Sequence, residues 1–274
     1  MKSIKYYLFF VCIVSNSNIM KSQEFGLQLY SLRNQFKINI ENSIKTISDW
    51  GIKVVEGGDS YGMIDSEFIK LLNKYEIEIV SIGASFEDLR DNIDKVLAET
   101  KKYNVKYVMC AWIPHEGVFS IKDAKSAVNV FNNAGKVLSD NGVILTYHIH
   151  GYEFHKYQSK TLFDFIVNNS ENFFFQMDVY WVKHGGEDPL DLLNRYPNKF
   201  VMMHLKDMKK GVLGDKSGHQ DVETNVVLGQ GQIDIEGVVK KGKELGIRYM
   251  FIEDESSRVL KQIPLSLDFL KSIK

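Results

Sequence analysis

Four strand-like runs in the second half of the chain stop at side chains that bind cations. They are Leu145–Glu153, with His148, His150 and Glu153 near its end; Phe175–Asp178; Met203–Asp207, with His204 and Lys206; and Phe251–Glu255, with Glu253. An apolar strand that ends in a carboxylate or an imidazole loses solvation energy unless the charge is compensated. Side chains alternate faces along a strand. His148 and His150 therefore share a face, as do Gln176 and Asp178, His204 and Lys206, and Glu253 and Glu255. Carboxylates together with imidazole suit Mn²⁺, Mg²⁺, Co²⁺ or Zn²⁺. No cysteine joins these runs, which argues against a structural zinc site. Such ends, met one after another along the chain, imply one shared site at one end of a parallel sheet.

The elements that position these ends alternate along the sequence. Strands are expected at 25–32, 53–56, 77–83, 107–113, 143–150, 173–180, 200–206 and 249–253. Amphipathic helical windows lie between them, such as 39–50 with Ile40, Ile44 and Ile47, and 121–139 with Ala124, Ala127, Val128, Phe131 and Val137. One phrase, acidic-x-Gly-Ile/Val, recurs at Gly51, Gly142 and Gly246 and reads as a helix C-cap followed by a strand. Eight strands alternating with helices predict a single (β/α)8 TIM barrel over residues 23–274. No G-x-G-x-x-G follows the first strand, as a dinucleotide-binding open sheet would require. The irregular stretch Met208–Gln232 follows the seventh strand and is expected to be a substrate loop on the catalytic face.

Composition narrows the function classes. The 274 residues carry a formal charge of -1, so no basic footprint for nucleic acid is present. Lys2 and Lys5 precede an apolar run from Tyr6 to Val14, too short to span a bilayer, and a polar stretch follows it. Residues 1–22 therefore read as a signal peptide, and a periplasmic location is expected. Cleavage there removes three lysines and no acid, taking the formal charge from -1 to -4. Cys110 is then the remaining cysteine and is expected to be a small buried hydrophobe.

Several phrases together resemble the sugar phosphate isomerase/epimerase family of the xylose isomerase-like TIM barrel superfamily. They are Gly26–Arg33, Val55–Gly58, Tyr147–Phe154, Asp178–Trp181, His204–Asp207, Leu228–Asp234 and Ile252–Glu255. The resemblance covers nearly the whole chain from residue 25. It implies a divalent metal held by Glu, Asp, His and Glu from strands five to eight, which fall here on Glu153, Asp178, His204 and Glu253. At the first position His148 or His150 is the alternative ligand, with Glu153 behind it. Ile149 stands where the common form of the phrase has Asn.

The resemblance further implies proton abstraction from a carbon next to a carbonyl, the metal acting as a Lewis acid. His148 or His150 is the expected base, and Lys206 the expected oxyanion partner. Gln28, Glu56, Trp112, Trp181, His184 and Glu255 are the expected substrate contacts. An exported member, lacking an arginine cluster for phosphate, points to a small neutral carbohydrate: a keto-sugar to epimerise or isomerise, or a 3-keto-glycoside to cleave by β-elimination. A sugar-binding barrel without catalysis is the alternative. An endonuclease IV-like nuclease is a remote one, opposed by the acidic charge.

Overall fold

The computed structural model describes residues 23–274, so the leader expected over 1–22 lies outside the described residues. Eight parallel strands close into a barrel: β1 (Glu24–Gln28), β2 (Val54–Glu56), β3 (Glu78–Gly83), β4 (Tyr107–Cys110), β5 (Ile144–His148), β6 (Phe174–Asp178), β7 (Phe200–Leu205) and β8 (Tyr249–Ile252). The strands are neighbours in chain order, and β8 pairs with β1 to complete the ring. All the expected strands form, but most end earlier than their apolar runs. After β1 the chain turns into a 3-10 helix at Leu29–Leu32, and after β6 into the helix Val179–His184. Leu29, Leu32, Val179 and Val182 are buried, so the apolar signal continues past the ladder.

The repeated glycine phrase is one αβ turn used three times. Gly51, Gly142 and Gly246 adopt φ of 78°, 75° and 74°. In each turn the next residue donates its N–H to a carbonyl five positions back, as in Ile52 to Ile47 and Val143 to Leu138. That is a Schellman ending, and it returns the chain directly into a strand.

The barrel interior is layered. Val54, Val80, Met202 and Phe251 pack together as its floor. Gly26 leaves the space that the Phe251 ring takes, since a Cβ there would lie 2.7 Å from it. Two positions further along β2 and β7 the inward residues change to Glu56 and His204, and Phe251 meets the His204 ring edge-on at 6.2 Å. The apolar floor thus supports a polar layer. Helices pack outside through a continuous core that includes Cys110, which is buried and free as expected. No helix among the described residues is long and apolar enough to cross a membrane.

Candidate metal centre and active site

His148, Asp178, His204 and Glu253 converge at the C-terminal end of β5 to β8, each offering a ligand atom within 4.8 Å of the others. His148 Nε2 lies 3.8 Å from Asp178 Oδ2. His204 Nδ1 lies 4.0 Å from the same oxygen and 2.9 Å from Glu253 Oε2. Asp178 ends its strand and begins the next helix, and its Oδ1 caps that helix by accepting the Trp181 N–H at 3.0 Å. Its Oδ2 is buried and has no hydrogen-bond partner among the described residues. A buried carboxylate oxygen aimed at three further donors without a proton partner fits a divalent cation. Two carboxylates and two imidazoles suit a borderline metal.

A buried amide and carboxylate network fixes these donors from behind. Glu56 has no exposed surface. Its Oε1 lies 2.5 Å from His204 Nε2, and it also accepts from Gln28 Nε2 at 2.8 Å and Gln176 Nε2 at 3.0 Å. Gln176 Oε1 in turn meets His148 Nδ1 at 3.1 Å. One carboxylate therefore orients both histidines, directly and through Gln176, leaving His148 Nε2 and His204 Nδ1 to face the cluster. Glu56, expected to touch substrate, does not reach the cavity wall; Gln28 does.

The electrostatics follow from burial and pairing. Burial opposes charge on His204, but Glu56 and Glu253 on either side outweigh it and raise its pKa to about 10. Burial, helped by His204, lowers His148 to about 3. Burial also raises Asp178 above the ordinary carboxylate value, with Lys206 opposing. A cation among these groups would favour the ionised carboxylates and the neutral imidazoles.

Glu153 does not join the cluster. It is fully buried on the turn after β5, where its Oε1 accepts from the Tyr147 hydroxyl and, at 3.0 Å, from the His150 N–H. The strand-five member of the cluster is His148, because the strand runs straight into the site while Gly151, at φ 90°, turns Glu153 away.

His150 stands beside the cluster on the cavity wall. Its ring stacks on Trp181 at 4.9 Å and meets Trp112 edge-on at 5.5 Å. Its buried Nδ1 has no partner among the described residues, and burial, with His148 next, holds its pKa well below the usual value. Its orientation is fixed by the two indole rings. Trp112, Trp181 and Glu255, expected as substrate contacts, also line the cavity. Lys206 lies beneath that surface, bonded to Glu255 and 5.5 Å from the Trp181 ring centroid. His184 is buried against the backbone of Asp215, at 3.1 Å, and does not line the cavity.

The cavity is also lined by residues not singled out in the sequence: Tyr30 and Arg33 from the helical turns after β1, Asp59 and Tyr61 from the loop after β2, and His219 and Gln220 from the expected substrate loop after β7, the His219 ring lying 5.7 Å from that of Trp112. Nothing in their spacing marks them.

A closed eight-stranded barrel with cation ligands at the C-terminal ends of its last four strands defines a class of metal-site barrel. The chain belongs to the xylose isomerase-like TIM barrel family, whose model matches residues 44–273. It is similar to a sugar phosphate isomerase/epimerase structure from Parabacteroides distasonis, with 22% identity and a TM-score of 0.75 over 92% of this chain and 100% of that one. A structure of IolI protein with a bound zinc atom superposes with a TM-score of 0.72 at 16% identity, over 92% of this chain and 98% of that one. An inosose dehydratase from Clostridium beijerinckii is 22% identical over 158 residues, which span 56% of this chain and 47% of that protein.

Proposed function

We propose that the protein abstracts a proton from the carbon next to the carbonyl of a keto-sugar or 3-keto-glycoside, with a divalent cation held by His148, Asp178, His204 and Glu253. The observation that carries this reading is the pairing of that donor cluster with a cavity-facing His150. The zinc of the similar IolI structure and the sugar enzymes among the relatives support it.

A cation held there would act as a Lewis acid, polarising the substrate carbonyl. His150 takes the proton from the adjacent carbon, and the electron pair of that C–H bond moves toward the carbonyl oxygen. Trp181 and Trp112 fix the imidazole plane, and their apolar surface excludes water from it. Protonated His150 then returns the proton. Delivery to the former carbonyl carbon, with the neighbouring hydroxyl proton passing to the carbonyl oxygen, completes an isomerisation. An epimerisation requires the proton to reach the opposite face of the original carbon from a group other than His150. Delivery to a β-oxygen accompanies cleavage of its C–O bond and gives an unsaturated keto-sugar and an alcohol. Lys206 positions Glu255 and Trp181 from beneath.

The test is exchange of the α-proton for deuterium. The Mn²⁺-supplemented protein in D₂O is offered ketoses and 4-nitrophenyl 3-keto-glucoside. Exchange without nitrophenol release indicates epimerisation or isomerisation, and nitrophenol release indicates elimination. Neither result with Mn²⁺, Co²⁺ or Zn²⁺ would leave a sugar-binding barrel as the better reading.

A further inference from the structure

The cavity is larger than one sugar ring requires. Its volume is about 1150 Å³, while roughly 300–1,000 Å³ encloses a drug-sized ligand. The reacting groups occupy the half supplied by β5 to β8. In the closed ring β1 stands opposite β5, and β2 opposite β6. The helical turn after β1 and the loop after β2 therefore wall the far half, across the mouth from His148 and Asp178.

That far wall presents two held aromatic rings. The Tyr30 side chain is among the exposed large hydrophobics, at 53%. Arg33 places its guanidinium 4.4 Å from the Tyr30 ring centroid and donates to the Tyr30 and Glu255 carbonyls, at 3.1 and 3.3 Å. Tyr61 stacks on Phe36 with centroids 4.0 Å apart and an interplanar angle of 3°. Its φ of 54° lies in the left-handed region, which an aromatic residue seldom adopts. The Phe36 stack and the bond from its N–H to Asp59 Oδ1, at 2.7 Å, hold it there.

The charges on this wall balance. Arg33 lies 3.6 Å from Glu255, and Lys37 shares the wall with Asp59. An anionic group would meet as many carboxylates as cations. Orientationally fixed tyrosines, Tyr30 exposed and Tyr61 half-buried, instead suit the face of an uncharged ring.

Resting on the keto-sugar reading above, we propose that Tyr30 and Tyr61 form a second-ring subsite, so that the substrate is a glycoside whose uncharged sugar or aryl aglycone packs on this wall while the reacting ring lies at His150.

Calorimetric titration of the Mn²⁺-supplemented full chain tests this with glucose, methyl β-glucoside, 4-nitrophenyl β-glucoside and glucose 6-phosphate, in the wild type, Tyr30→Phe and Tyr30→Ala. The expected result is about tenfold tighter binding of the aryl than of the methyl glucoside. Tyr30→Phe keeps that ratio, and Tyr30→Ala brings it near one. Equal affinities in the wild type, a ratio that survives Tyr30→Ala, preference for the phosphate, or no binding of any glucoside would each overturn the subsite. Deuterium exchange into a free ketose by a protein indifferent to the aglycone would keep the function and remove the subsite. Aryl-selective binding through Tyr30 without exchange on any ketone would do the reverse.

Discussion

His204 Nε2 lies 2.5 Å from Glu56 Oε1 inside the barrel, at a depth where neither side chain meets solvent. The contact joins β2 to β7 across the interior and fixes which imidazole nitrogen is free for a cation. Glu56→Gln places an amide where the acceptor stood and weakens the link to Gln176. The affinity for Zn²⁺ or Mn²⁺, read by competition with a chromophoric chelator, should fall roughly 10–100-fold. An unchanged affinity would show that the cluster is oriented without Glu56.

Metal retention depends on the two carboxylates of the cluster. Protein purified without chelator should carry about one divalent ion per chain by elemental analysis, and the Asp178→Asn, Glu253→Gln double variant should carry none. Binding at 100 times the dissociation constant stabilises by about 2.7 kcal/mol. Chelation should therefore lower the Tm of the wild type by roughly 5–10 °C and leave that of the double variant in place. Equal metal content in the two proteins would dismiss the cluster as the binding site.

The barrel was legible because parallel strands buried on both faces write continuous apolar runs, and because one αβ turn recurs at Gly51, Gly142 and Gly246. The two-residue strands Lys156–Tyr157 and Lys160–Thr161 were not, being too short for any period. Within the site, alternation placed Gln176 with Asp178 and His204 with Lys206 on common faces, but alternation does not specify depth. Glu56 and Lys206 are buried and do not line the cavity. Glu153 carries the chemistry of a ligand, and only the path of the turn at Gly151 shows that it faces Tyr147. The far-wall residues Tyr30 and Tyr61 follow the neighbouring strands β1 and β2, where no local pattern singles them out.

His150 is placed as the base, and its loss should act on the chemical step. His150→Gln keeps a polar group of similar size between Trp112 and Trp181. It should lower α-proton exchange about 10²- to 10⁴-fold at unchanged metal content. Exchange at the wild-type rate in this variant would transfer the role to another group.

Glu153 should leave a mark on stability rather than on metal content. Burial raises its pKa to about 7 from the ordinary 4.5. The folded chain then keeps a proton that the unfolded chain releases. Stability from this group is full below about pH 4.5 and declines as pH rises to about 7. Glu153→Gln removes the decline, so the loss of unfolding free energy between pH 4.5 and 7.5 should shrink by up to roughly 3 kcal/mol. Urea unfolding of both proteins in chelator reads it, and parallel pH curves would contradict it.

The stretch after β7 is not a free loop. The buried Asp207 carboxylate accepts N–H groups from Met208, Gly229, Gly231 and Ile233, at 2.8 to 3.2 Å. Asn225 and Gln220 tie its middle to Glu255, and Tyr180 meets Thr224. Asp207 works as a clasp that closes a loop of more than twenty residues at its base. The His219 and Gln220 side of the cavity is consequently set before any ligand arrives. Little ordering entropy is then spent on capture, and the rate of turnover should depend on solvent viscosity through diffusion of substrate and product rather than through the closing of a lid.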